Sequence, residues 1–186
     1  MQHLGSKILK TERLVLRPFR TKDAKQMYEN WAGDPTVTKF LTWTPHASVN
    51  ETRALLKMWE EESGKPNVYH WAITLGGEVI GDIALVSVDE RNESAVVGYC
   101  LSHRFWRQGI MPEALAEVLR FCFTELGLHR VSSSHAAENP ASGRVMEKCG
   151  LSYEGTLRKH VRLLSTGEYA DIVLRGILRE DYFARK

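Results

Sequence analysis

Arg104-Phe105-Trp106-Arg107-Gln108-Gly109-Ile110-Met111-Pro112-Glu113-Ala114-Leu115 is the stretch on which the fold turns. It follows Ala95-Val96-Val97-Gly98-Tyr99-Cys100-Leu101, apolar and β-branched enough for a buried strand, and it leads into Ala114 to Leu126, apolar at helical spacing. Gly109 therefore sits at a strand-to-helix turn among donor-rich side chains. A helix N-terminus leaves backbone N–H groups unpaired and carries the positive end of the helix dipole, which favours an anion. Gly109 has no side chain to hold a ligand off, and Pro112 suits a first helical turn, where no intrahelical donor is needed. Taken alone, one glycine in a basic turn is a weak signal and reads better as an ordinary strand-to-helix connection.

Working outward, Leu14 to Phe19 predicts a strand, and Thr21 to Trp31 a helix with an N-cap residue and Asp23 in its first turn, broken by Asp34-Pro35. Thr36 to Asn50 reads as irregular, and Ser48 to Ser63 as a second helix stopped by Gly64 and Pro66. Val68 to Leu75 and Glu78 to Val86 flank Gly76-Gly77, a hairpin signal, and Ser94 to Leu101 makes a fourth strand. Beyond the loop and its helix, His129 to Ala136 predicts a fifth strand and Asn139 to Lys148 a short helix ending at Gly150. Leu151 to Val161 and Tyr169 to Leu178 form a closing pair. Antiparallel-capable runs mixed with strand-helix-strand units predict an α+β domain, a mixed three-layer α/β/α arrangement around one twisted, mostly antiparallel sheet. Residues 1–186 read as a single domain.

At 186 residues and 43% apolar content, the chain is large enough to bury a core without metals or disulfides. A net charge of +2, from 25 basic and 23 acidic residues interspersed, offers no stripe for nucleic acid. Cys100, Cys122 and Cys149 lack the close pairing of a zinc site and read as free thiols in a reducing compartment, with no metal. The absence of a long apolar run argues against secretion and membrane spanning, so a cytoplasmic location is expected.

A second segment, Glu138-Asn139-Pro140-Ala141-Ser142-Gly143-Arg144 continuing to Cys149-Gly150-Leu151-Ser152-Tyr153-Glu154-Gly155, follows the fifth strand. Together the two segments resemble the GNAT superfamily of acetyl-CoA-dependent N-acetyltransferases. The first is similar to its pyrophosphate loop, the second to its Asn-x-x-Ser helix and following Gly-Phe-x-x-Glu-Gly turn. Thr11 to Arg17, Trp106 to Ala114 and Gly167-Glu168-Tyr169-Ala170-Asp171 resemble the ribosomal-protein N-terminal alanine acetyltransferase (RimJ/RimL-like) branch. Trp106 stands where the broad superfamily has Arg or Gln, and Met111 where it has Gly or Ala.

The resemblance implies a sheet splayed between its fourth and fifth strands, with pantetheine in the gap and acetyl-CoA as acetyl donor. Backbone groups of Cys100 and Leu101 would hold pantetheine, and those of Arg107, Gln108, Gly109, Ile110 and Met111 the diphosphate. Asn139 would hold the pantetheine amide or cap its helix, and Ser142 would protonate the departing thiolate. Val96 stands where many relatives place a glutamate base. An α-amine, with reference pKa about 7.7 to 8.0, costs about 1 kcal/mol or less to deprotonate near neutrality, against roughly 4 to 5 for lysine at about 10.4. The missing carboxylate therefore suits an N-terminal acceptor. His135, Glu138 and Glu154 are candidates for a water-mediated base, and Phe40, Trp43, Trp59 and Tyr28 for the acceptor wall, with core packing the competing reading for most of these rings. A small amine acceptor (polyamine, aminoglycoside or amino-acid derivative) and a non-catalytic acyl-CoA sensor are the alternatives, and relatives often form homodimers.

Overall fold

Along β3 (His70–Leu75), Trp71 and Ile73 join one buried cluster while Ala72 joins another, so a single strand already defines a sheet covered on both faces. The computed structural model describes residues 1–185. The sheet has eight strands in the order β1 (Leu9–Lys10), β2 (Leu14–Arg17), β3, β4 (Glu78–Asp89), β5 (Ser94–Leu101), β6 (Arg130–Ala136), β8 (Tyr169–Leu178), β7 (Ser152–Arg162). Among the described residues, only β5 and β6 run parallel.

One face is covered by α1 (Ala24–Met27) and α3 (Val49–Glu62), through Ala24, Met27 and Leu56. The other is covered by α4 (Ile110–Phe121), which buries Ile110, Met111, Ala114, Leu115, Val118, Leu119 and Phe121, the three-and-four spacing of a core-facing stripe. α2 (Pro35–Thr38), α5 (Pro140–Lys148) and α6 (Arg179–Ala184) complete the chain.

The helix expected over Thr21 to Trp31 is instead a 3-10 turn (Thr21–Asp23), α1 and a π-helical turn (Tyr28–Ala32). Thr21 gives its N–H and hydroxyl to Glu60 on α3 instead of capping its own helix. The stretch read as irregular contains α2, because Asp34 caps the amide of Thr36 and Pro35 opens the turn. β4 continues past Val86 to Asp89 across a bulge between Leu85 and Ser87. β1 and α6 were not expected; a two-residue strand is too short to leave a periodic trace.

Candidate active site

β5 and β6 pair over only three positions, Ser94 with Arg130, Ala95 with Val131 and Val96 with Ser132. Beyond Val96, β6 continues alongside β8 while β5 continues alongside β4 to Leu101, and the sheet forks. The expected splay is therefore present, between strands five and six because β1 adds one to the count. At its root the buried Ser133 donates its hydroxyl to the Val97 carbonyl (2.8 Å), and near its mouth the Trp106 indole N–H donates to the Leu101 carbonyl (2.8 Å). Main-chain groups alternate from side to side along a strand. Tyr99, lying between these two residues, therefore aims its N–H and C=O into the fork, whereas Cys100 belongs to the β4 ladder opposite Asp82. Leu101, expected to hold pantetheine through its backbone, has one carbonyl lone pair taken by Trp106, a contact that the sequence did not announce.

The turn before α4 places Arg107 at φ 62° and Gly109 at φ 74°. Among the described residues, no backbone amide from Arg107 to Met111 donates to a protein acceptor. Successive amides in such a turn form a concave nest for an anion at the positive end of α4. Glu113 braces this nest. Its carboxylate accepts from the Thr11 hydroxyl (2.5 Å), the Arg13 amide (3.0 Å) and Arg13 Nε (2.6 Å), and Arg13 Nη1 donates to the Gln108 carbonyl (3.1 Å). Burial raises the Glu113 carboxyl, but the bonds from Thr11 and Arg13 outweigh it and hold the group below its ordinary value. Residues 100 apart make this brace, so no local pattern reveals it.

α5 faces the fork from the β6 side. Asn139 caps it, its side chain accepting from the Ser142 amide (3.4 Å), with Pro140 in the first turn. The Tyr99 hydroxyl donates to the Ser142 carbonyl (3.1 Å) and shares a hydrogen bond with Ser142 Oγ (3.0 Å) in which either group can donate. Burial pushes the Tyr99 phenol upward despite the Ser142 bond, so it is a neutral donor near pH 7. The strand register is what puts Tyr99 against Ser142.

The three candidate bases lie apart. His135 Nδ1 contacts the Ala136 carbonyl (2.8 Å), while its buried Nε2 has no hydrogen-bond partner among the described residues and faces Gly143, where a Cβ would come within 2.6 Å. Glu154 is tied to Arg130, whose hydrogen bonds hold its carboxyl below the ordinary value. Glu138 is exposed beyond β6. Of the aromatic candidates, Phe40 packs against Ala136, Leu163, Ala170 and Ile172, whereas Trp43 lies against His46 (5.5 Å) and Trp59 against Phe19 (5.2 Å). Desolvation raises all three thiols, Cys149 to about 11, so none is a ready nucleophile.

Residues 13–152 match the acetyltransferase (GNAT) domain family. The uncharacterized N-acetyltransferase p20 of Bacillus licheniformis is 30% identical over 94% of this chain and 97% of its own length. The [ribosomal protein uS5]-alanine N-acetyltransferase of Escherichia coli (strain K12) is 25% identical over 94% and 92%. The crystal structure of a GNAT-family acetyltransferase from Bacillus anthracis superposes with a TM-score of 0.81 at 27% identity, covering 94% of this chain and 99% of that one. A forked sheet, a nest of free amides at the fork's mouth and these relatives together make the chain a member of the GNAT family and an N-acetyltransferase.

Proposed function

We propose that this enzyme transfers acetyl from acetyl-CoA to a primary amine by direct attack, and that the amine is the α-amino group of a protein N-terminus of the ribosomal-protein alanine type. The observation that carries this reading is the run of unpaired amides from Arg107 to Met111 at the mouth of the β5–β6 fork. A diphosphate would satisfy those amides, and an extended pantetheine arm would meet the main chain of Tyr99 inside the fork. Such binding depends on backbone, so Trp106 and Met111 are tolerated at their positions. Raised thiols support direct attack over an acyl-enzyme.

Ser142 would deliver a proton to the departing sulfur, its hydroxyl positioned by Tyr99. The half-buried Val96 supports the α-amine, which needs little help to lose its proton. Thiol release from acetyl-CoA, measured with an alanine-initiated peptide, the same peptide N-terminally blocked but carrying lysine, a polyamine, an aminoglycoside and free amino acids, tests the reading. Release with the unblocked peptide is the expected result. Faster release with the blocked peptide or a small amine would overturn the acceptor assignment, and acetyl-CoA binding without release for any amine would make the chain a sensor.

A further inference from the structure

Acetyl transfer leaves a proton on the attacking nitrogen, and the groups beside the fork have nowhere to put it. Val96 does not titrate, Glu154 is held by Arg130, the His135 ring is sealed against α5, and Glu138 is exposed beyond the end of β6. A different pair stands on the face of β5 that carries Val96. Register aligns Arg17, Ala72, Asp82 and Cys100 in one row across the sheet and His70, Ala84 and Gly98 in the next. Directly opposed residues of antiparallel strands share a face, so His70, Asp82 and Gly98 lie on one side.

His70 Nε2 and Asp82 Oδ2 are 3.1 Å apart. The ring is fixed between Trp59 (4.1 Å) and Phe19 (5.2 Å), and the His70 amide is held by the Ser6 hydroxyl (2.8 Å). Nδ1 has no protein partner among the described residues, and the side chain keeps 20% exposure. His70 lines a cavity of about 370 Å³ together with Phe19, Trp59, Glu62, Ala84 and Val86. Val86, in the β4 bulge and 65% exposed, leans over Gly98, where an added Cβ would meet Val86 Cγ1 at 3.0 Å. Val86 is thus the wall between the cavity and Gly98 on the face of β5 where the fork begins, and His70 stands two strand spacings, about 10 Å, from Gly98.

We propose that His70, oriented by Asp82, is the general base of acetyl transfer, taking the amine proton through water in this cavity. This rests on the acetyl-transfer reading above. The nitrogen lone pair forms the N–C bond to the acetyl carbon, the C–S bond breaks, and its electron pair leaves with sulfur, which takes up a proton. The proton lost by nitrogen crosses water to Nδ1 and returns to solvent. Asp82 is a positioning residue: by accepting from Nε2–H it leaves Nδ1 as the acceptor nitrogen. Other charged or titratable groups around the pair are Glu62 of α3, paired with Lys65, Tyr69, whose hydroxyl meets His3 and the Leu4 amide, Cys100 of β5, and Arg17 of β2, held by Asp23 in two bonds of 2.7 and 3.0 Å. Asp82 is the carboxylate bonded to the ring.

The test compares wild type, His70→Gln and Asp82→Asn with acetyl-CoA and the alanine-initiated peptide. His70→Gln is expected to keep acetyl-CoA affinity by calorimetry, to lose about 100-fold or more in kcat, and to flatten the acidic limb of the kcat–pH profile. Asp82→Asn is expected to lose less, also in kcat and with KM little changed. An active wild type with a His70→Gln variant of equal kcat and unaltered profile overturns this inference alone. A wild type that releases no thiol with any amine overturns the acetyl-transfer reading and the inference with it. Should His70→Gln fail to bind acetyl-CoA, Asp82→Asn decides, because it keeps the ring, and a profile matching wild type refutes the role.

Discussion

Replacing Glu113 with alanine removes the brace between the N-terminal strand region and the nest, and the structure sets the size of the effect. The carboxylate is 19% exposed and its main partner Arg13 is 42% exposed. A partly shielded O–H to carboxylate bond from Thr11 contributes about 2 kcal/mol, whereas the more exposed contacts to Arg13 contribute about 0.5 kcal/mol each. The variant should therefore lose about 3 kcal/mol, read as a lower denaturant midpoint at constant slope or a fall of roughly 6 to 12 °C in Tm for a domain of this size. Arg13 would also lose the anchor that points Nη1 at the Gln108 carbonyl, so the nest should loosen and acetyl-CoA affinity drop about tenfold, equivalent to about 1.4 kcal/mol. Because the folded carboxyl lies below its ordinary value of 4.5, its stabilisation is complete above that value and is lost as pH falls through the lowered one. Wild type and variant should thus converge in stability as the pH is taken below 4.5. A stability difference under about 0.5 kcal/mol at pH 7, the scale of an ordinary surface substitution, or an unchanged affinity, would refute the reasoning.

Gly143→Ala should cost about 1 to 3 kcal/mol by overpacking, because its Cβ would lie 2.6 Å from His135 Nε2; denaturation reports the loss, and unaltered stability would show that the His135 ring moves freely aside. Tyr99→Phe removes one neutral hydroxyl and should change stability by about 1 kcal/mol. If Ser142 protonates the sulfur, the same variant should lower kcat while leaving acetyl-CoA affinity intact, and equal kcat would remove Tyr99 from the reaction.

Much of the fold was legible because its signals are local. β8 occupies the expected Tyr169 to Leu178, and α5 begins one residue after its expected cap, Asn139, since alternation, an Asn-Pro start and a terminal glycine each act within a few residues. The first helical region failed for the opposite reason. Thr21 looks like a cap in sequence, yet its hydroxyl goes to Glu60, 39 residues away, and the backbone tightens into 3-10 and then widens into π geometry. At the site, the strand-to-helix turn with its left-handed glycine was legible from Gly109 and Pro112. The Thr11–Arg13–Glu113 brace, the Trp106 contact to the end of β5, and the pairing of Tyr99 with Ser142 and of His70 with Asp82 were not. Strand register and loop closure create those neighbours, and a single chain carries no periodic trace of either.

The fork also explains how a valine can stand at position 96 without dismantling the site. An open strand edge invites unwanted pairing and is ordinarily blunted; here the Ser133 hydroxyl and the Trp106 indole each take one carbonyl, and the main chain of Tyr99 remains between them. The gap is held open because β6 pairs with β8 over seven positions, Arg130 to Ala136, while it pairs with β5 over three. On the proposed reading, donor binding depends on backbone directions set by register, by the left-handed turns at Arg107 and Gly109, and by the brace at Glu113. Side chains on the opposite rows are released from that duty. Acceptor choice and proton removal can accordingly sit on the β3–β4 face, so a carboxylate is not required at Val96, provided that another group on that face accepts the proton.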